Sequence, residues 1–345
     1  MSRVDVFVPC YNYARFLREC VESVLAQPVD LRVLIIDDSS SDETPEVAAA
    51  LASEDRRVEY RRHAVNRGHI ATYNEGLEWA TGDYVALLSA DDLLTGGSLA
   101  RASQFLDAHS EAGFVYGKVI RWSVEEPRPF FQDRSLDNRT QCTPGSEWIE
   151  RVCSRGFTIT CPEVLVRTKL QKQLGGYRAD LPQWADHDMW FRLASRGDVG
   201  YIDEYQAYYR LHGGNMHSEG DPQNKHFRGL RDYEQSYQVY RTLFDKYLDP
   251  SVRNDTMRDL VFRRLAENAV WDASAEIDQD RAESARKYLS LALQSSPAIS
   301  SWPPFLRTRF KIAIGSRARG VALPLWRAMS RCRSYVRGRG VPGEA

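Results

Sequence analysis

Three apolar segments near the start of the chain each run into a polar cluster and then into a helical pattern, and this repeat most narrows the possible folds. VDVFVPC (Val4 to Cys10) is short and rich in β-branched residues; ARFLRECVESVLAQ then sets Phe16, Leu17, Cys20, Val21, Val24 and Leu25 at helical spacing. LRVLIIDD (Leu31 to Asp38) reads as a buried strand ending in two carboxylates, and SSSDETPEVAAALA begins a helix with Ser40 and Glu43 spaced as a capping box. VEYRRH (Val58 to His63) leads into a helix carrying Ile70, Tyr73 and Leu77, which closes at Gly82 before the strand DYVALLSADD (Asp83 to Asp92). Such alternation predicts an α/β fold with a mainly parallel sheet covered by helices on both faces. Ligands of these sheets bind beyond the carboxyl ends of the strands. Pro9 to Asn12, Asp37 to Asp42 and Ser89 to Asp92 all fall there.

From Gly113 the pattern becomes mixed, with strands GFVYGKVIRW and TITCPEVLVR flanking a long polar connection from Pro127 to Pro144. After Gly220 the chain reads as helical to about Ser295, with Tyr237, Tyr240, Leu243 and Phe244, then Leu260, Val261, Leu265 and Val270, at helical spacing. The organisation this predicts is an α/β domain over 1–222, a helical extension over 223–300 and a basic amphipathic tail over 301–345. The tail interleaves Arg307, Arg309, Lys311, Arg317 and further arginines with Phe305, Phe310, Leu325 and Trp326. It reads either as a peripheral contact with an anionic membrane or as a solvated basic terminus.

A net charge of −1 and a pI of about 6.7 exclude a chain that gathers nucleic acid by its overall field. The six cysteines show no C-x-x-C, the sequence opens MSRVDVFVPC without a signal peptide, and no apolar run is long enough to span a bilayer. These features predict a cytoplasmic protein, peripheral on the membrane at most.

Adjacent carboxylates at a strand end, Asp91 and Asp92, suit a divalent cation that bridges two phosphates, although alone they are equally ordinary turn residues. A second pair, Asp37 and Asp38, ends another strand of the same sheet. Two acidic strand ends crowd negative charge unless a cation or ribose hydroxyls use them.

FVPCYNYARFL, IIDDSSSDET, NRGHIATYNEGLEWATGDYVALLSADDLL, WADHDMWFRLA and YYRLHGGNMH follow one another in the order found in family 2 glycosyltransferases, which roughly the first 215 residues resemble. The resemblance implies a GT-A fold and an inverting transfer from a nucleoside-diphosphate sugar, UDP-sugar by default, with Mn²⁺ or Mg²⁺. The implied acceptor is a hydroxyl of a saccharide or lipid-linked saccharide. It further implies that Pro9 and Tyr11 line the base pocket, that Asp38 contacts base or ribose, and that Arg67, with Asn66 and Gly68, forms the loop beside the nucleotide. Asp91 matches a ribose and metal position, Asp92 a metal position, and His212 a histidine that reaches the metal or diphosphate. Asp186 matches the general base.

Two departures stand out: Ser89 occupies the family's first acidic position of the D-x-D segment, and Ala185 replaces a glutamate beside the base. Asp186 and Asp188 are two apart, so on a helix only one faces the cleft. Asp186 as a helix cap and His212 as a plain loop histidine are the simpler readings. Nucleotidyl transfer predicts a glycine-rich basic loop after the first strand, and hydride transfer a G-x-G-x-x-G; neither is present. A non-catalytic nucleotide- or sugar-binding module of the same fold remains the alternative.

Overall fold

Three apolar segments and one charged segment at the edge lie side by side. In the computed structural model, which describes residues 2–131, 140–156, 159–215, 229–248 and 255–314, β1 (Val4–Cys10), β2 (Leu31–Asp37), β3 (Val58–Arg62) and β4 (Tyr84–Leu87) are parallel neighbours in the order β3-β2-β1-β4. Their connections are α1 (Ala14–Leu25), α2 (Thr44–Glu54) and α3 (His69–Trp79). The chain continues through β5 (Leu93–Leu94), α4 (Ser98–Ala108), β6 (Ala112–Ser123), β7 (Thr140–Thr143), α5 (Gly145–Arg155), β8 (Val164–Arg167), α6 (Thr168–Leu174), α7 (Ala185–Ala194) and β9 (Asp198–Leu211). The sheet extends as β4-β8-β6-β9-β5, with β8 antiparallel to both neighbours, β6 parallel to β9, and β7 antiparallel to β9. The expected α/β architecture is present, parallel in its first half and mixed in its second.

Two local expectations are corrected. The Ser40–Glu43 capping box does not form: α2 starts at Thr44, with Pro45 in its first turn, and Asp42 accepts the Thr44 N–H at 3.1 Å. Ser40 instead uses its hydroxyl to accept the Asn12 N–H. Among the described residues of TITCPEVLVR, Val164–Arg167 alone is strand, because Cys161–Glu163 turn in a 3-10 helix around Pro162, which has no N–H to give a ladder.

The chain divides into two compact units, Met1–Glu219 with Gln238–Met257 and Gly220–Tyr237 with Arg258–Ala345. Three further helices follow the sheet: α8 (Leu230–Thr242), which runs into a π-helical turn (Leu243–Tyr247), then α9 (Asp255–Asp278) and α10 (Ala282–Ser295). In the first unit Tyr240 packs against Trp184 and Phe191. In the second, Val270, Ile277, Tyr288, Leu289, Ile299 and Phe305 form a separate core. Residues 303–314 are helical, and Lys311 donates to Asp278 at 2.8 Å. The rest of the basic tail, 315–345, lies outside the described residues. Among the described residues no helix is long and apolar enough to cross a membrane.

At the amino edge of the sheet Asp5 is fully buried. Its carboxylate accepts two hydrogen bonds from Arg32, at 3.0 and 2.6 Å, and the amides of Thr81 and Gly82 at 2.6 and 2.7 Å. Burial acts to raise its pKa, but these donors outweigh it and hold the carboxyl below the usual range. The pair therefore stabilises the fold above the unfolded-state pKa of about 3.9 and is lost as pH falls through the folded value. Asp5→Ala is expected to cost about 3–5 kcal/mol, read from urea unfolding at neutral pH, with a smaller difference from wild type at acid pH.

Candidate active site

All four parallel strands point their carboxyl ends to one edge, and the backbone turns sharply just beyond the first two. Asn12 (φ 58°) and Ser39 (φ 66°) both adopt left-handed conformations, which short polar side chains tolerate best. The turns are tied together: Cys10 C=O accepts the Asp38 N–H at 2.9 Å, Asn12 Oδ1 accepts the Ser41 N–H at 2.8 Å, and Pro9 C=O accepts the Ala90 N–H at 3.4 Å. Pro9 thus ties the end of β1 to the turn that carries Asp91 and Asp92, while Cys10 beside it ties the same end to the Asp38 turn. Tyr11 leaves its ring half exposed at the same edge.

Asp38 is buried and heavily engaged. Its Oδ1 meets His63 Nδ1 at 2.6 Å and accepts the Arg67 N–H at 2.7 Å, while Oδ2 accepts the Gly68 N–H at 2.8 Å. Gly68 has φ +82°, a conformation that other residues adopt with strain. The Arg67 guanidinium bonds Glu75 at 3.0 Å and is half exposed. His63 Nε2 lies 2.9 Å from the same Glu75 oxygen. Burial acts against a charged His63, but the bonds to Asp38 and Glu75 outweigh it and raise its pKa. Asp37 has its own partners, the Ser40 N–H at 2.8 Å and Arg62 at 3.3 Å.

The second acidic turn is served by the end of β9. Arg210 donates its backbone N–H to Asp92 Oδ1 at 2.9 Å and its Nε to Asp91 C=O at 2.6 Å, and its side chain also bonds Glu19. Phe16 and Trp122 cover the guanidinium at 4.5 and 5.0 Å from their ring centroids. His212 Nε2 lies 3.1 Å from Asp91 Oδ2, and Asn215 donates to the same oxygen at 3.2 Å. Since Nδ1 accepts the Gly214 N–H, at 3.1 Å, Nε2 carries the proton in this arrangement and donates to Asp91. Burial first, and then the charge of Asp91, raise the Asp92 carboxyl well above the usual range.

Asp186 lies in the first turn of α7, about a quarter exposed, while Asp188 is fully buried. The two diverge as a spacing of two requires. Asp188 pairs with Arg192 at 2.9 Å and Arg178 at 3.4 Å and accepts a hydrogen bond from Tyr247 at 3.0 Å, so it fastens α7 in place. Asp186 accepts the His187 N–H at 2.8 Å, with His187 Nδ1 at 3.1 Å and Cys161 Sγ at 3.8 Å. Burial raises the Cys161 thiol, followed by the charges of Asp186 and Asp92, and Tyr73 likewise senses Cys161, Asp186 and Asp91. The three acids therefore act on one neighbourhood. Among the described residues no three His, Cys, Asp or Glu side chains converge as a preformed metal cluster.

Several groups here had no sequence signal of their own. His63, Glu75, Arg210, Asn215 and His187 are defined by tertiary partners. Glu163 sits in the 3-10 turn, 7% exposed, with its carboxyl pushed up to about 7 by burial; the Pro162 beside it was the one available hint that the strand breaks there.

An acid-lined carboxyl edge on a half-parallel α/β sheet is the architecture of the GT-A fold. Residues 5–166 match the model of the family described as "Glycosyl transferase family 2". An uncharacterized glycosyltransferase of Rickettsia felis is 28% identical over 79% of this chain, which spans 43% of that relative's length. S. aureus TarS 1–349, solved in complex with UDP-GlcNAc, shares the fold with a TM-score of 0.65 at 16% identity, covering 90% of this chain and 88% of that one. A mannosyltransferase from Pyrobaculum calidifontis, solved with GDP-Man and Mn²⁺, matches with a TM-score of 0.55 at 18% identity over 90% of this chain and 84% of its own.

Because Asp92 is buried with a raised pKa, its charge costs stability as pH rises from the unfolded value of about 3.9 towards the folded one. Asp92→Asn, which keeps an acceptor for the Arg210 N–H, is expected to stabilise the metal-free protein at pH 7, measured as a higher Tm.

Proposed function

We propose that this protein is an inverting glycosyltransferase that moves a sugar from a nucleoside-diphosphate donor, UDP-sugar in the first instance, to a hydroxyl of a saccharide or lipid-linked saccharide. The observation that carries this reading is the meeting of Asp91, Asp92 and His212 at the carboxyl edge, with Asp186 acting on the same neighbourhood. The match of residues 5–166 to the family model and the likeness of fold to the GT-A neighbours support it. Catalysis is assigned to residues 1–222, with 223–300 as a helical extension and 301–345 as a basic tail open to a membrane surface.

In this reading the nucleobase stacks at Pro9 and Tyr11, whose ring is open at the strand end. Asp38 and the Arg67 loop take the base and ribose side, and Arg67 turns from Glu75 towards phosphate oxygens. Asp91 and Asp92 suit Mn²⁺ or Mg²⁺, which take one or two carboxylates plus substrate oxygens, and the raised Asp92 is an acid whose ionisation a cation favours. His212 qualifies as a further ligand once the Gly214 amide leaves Nδ1. Bound there, the cation supplies compensation for charge on the departing diphosphate. Asp186 takes the proton of the acceptor hydroxyl as that oxygen attacks the anomeric carbon from the face opposite the leaving group. The His187 amide and ring hold its Oδ1, leaving Oδ2 towards Cys161.

Nucleotide release from UDP-, GDP- and dTDP-sugars with Mn²⁺ or Mg²⁺ is expected for one donor class, abolished by EDTA and by Asp92→Ala. Asp186→Asn should lower kcat by about 10²–10⁴ with little change in donor KM. NMR of the product should show an inverted anomeric centre; a retained one overturns the mechanism. Failure to bind any nucleotide returns the chain to the non-catalytic alternative.

A further inference from the structure

His63 sits where four parts of the nucleotide side meet: it follows β3, touches Asp38 beyond β2, touches Glu75 on α3, and through Asp38 reaches the Asn66–Gly68 loop. Both of its ring nitrogens face carboxylate oxygens, Nδ1 at 2.6 Å and Nε2 at 2.9 Å. A carboxylate only accepts hydrogen bonds, so a neutral imidazole would set one lone pair against an oxygen, relieved at Nε2 only by the Arg67 guanidinium 3.4 Å away. An imidazolium donates from both nitrogens and satisfies both acids.

Its charge completes a four-membered balance. Asp38 and Glu75 are the anions, His63 and Arg67 the cations, and Arg61 on β3 approaches Glu75 from outside at 3.8 Å. His63 is the cation shielded from solvent, at 6% side-chain exposure against 51% for Arg67, so it is the less screened of the two. With Asp38 neutralised, its two oxygens hold the amides of Arg67 and Gly68, and Gly68 opens α3.

We propose that His63 is a positioning residue for the donor: as an imidazolium clamped between Asp38 and Glu75, it holds the Asn66–Gly68 loop in the conformation that meets the nucleotide. The proposal rests on the nucleotide reading of that loop given above. Loss of the proton turns one ring nitrogen against its carboxylate, leaves Asp38 buried without its cation, and loosens both loop amides. The sign follows from the raised pKa of His63: the clamp is fully present below the unfolded histidine value of about 6.5 and is lost as pH rises through the folded value. Donor affinity therefore falls with rising pH, and the loss comes from a residue that need not touch the donor.

The test uses the full chain with ¹⁵N-labelled imidazoles and amides, with His63 assigned from His63→Gln. Both ring nitrogens are expected to be protonated at about pH 6, below the ordinary histidine value, and the Arg67 and Gly68 amides should titrate with the ring. Glu75→Gln should lower that pKa. UDP, with Mn²⁺ present, should bind about tenfold more weakly above the transition, while His63→Gln binds about tenfold more weakly throughout and responds little to pH. A singly protonated ring at about pH 6, or loop amides that ignore the titration, overturns the clamp. Equal UDP affinity in wild type and His63→Gln overturns its role in donor binding. Titrating amides without UDP binding at any pH overturns instead the nucleotide reading beneath it.

Discussion

Four carboxylates gathered at one edge of a sheet set the electrostatic problem that the rest of this domain answers. Asp37, Asp38, Asp91 and Asp92 are all buried, and unpaired buried charge is too costly to keep. The compensation comes from the strand that ends beside each pair. Arg62 and His63, at the end of β3, serve Asp37 and Asp38; Arg210 and His212, at the end of β9, serve Asp91 and Asp92. The two halves of the sheet differ in strand direction but solve the problem the same way.

That arrangement leaves unequal reserves. Asp37 and Asp38 are matched by cations of the protein itself, so the first pair is a fixture that shapes the loop after β3. Among the described residues Asp92 receives a backbone amide on Oδ1, and its ionisation stays suppressed by burial and by Asp91. An edge built this way is rigid on one side and electrostatically incomplete on the other. An incomplete acidic site is the one that gains from a cation brought in with an anionic substrate.

The architecture was legible because parallel strands buried on both faces are written as uninterrupted apolar runs, as in LRVLII and VDVFV, and because acids at their ends survive any error of a residue or two in a boundary. The parts that failed were those where a local signal lost to a nearby constraint. Ser40 and Glu43 have capping-box spacing, but Pro45 and Asp42 fix the helix start further on. TITCPEVLVR looks like one strand, but Pro162 breaks it, and β5 is too short to leave a periodic trace. Asp186 and Asp188 were separable by helix geometry alone, yet which of them faced inwards required Arg178, Arg192 and Tyr247, which lie on three different segments.

Partners of this kind carry no local signature, and the reason is physical. A buried acid constrains the charge next to it in space, not the residue next to it in sequence, so His63 and Glu75, twelve positions apart, look in the sequence like an ordinary strand end and an exposed helix face. The same holds for Arg210, whose value lies in three simultaneous bonds, to Asp91, Asp92 and Glu19, and in two aromatic rings that cover it. Motif matching locates the acids because their chemistry is specific. The cations that make those acids affordable are free to come from anywhere the fold can deliver them, and in this chain it delivers them from the ends of β3 and β9.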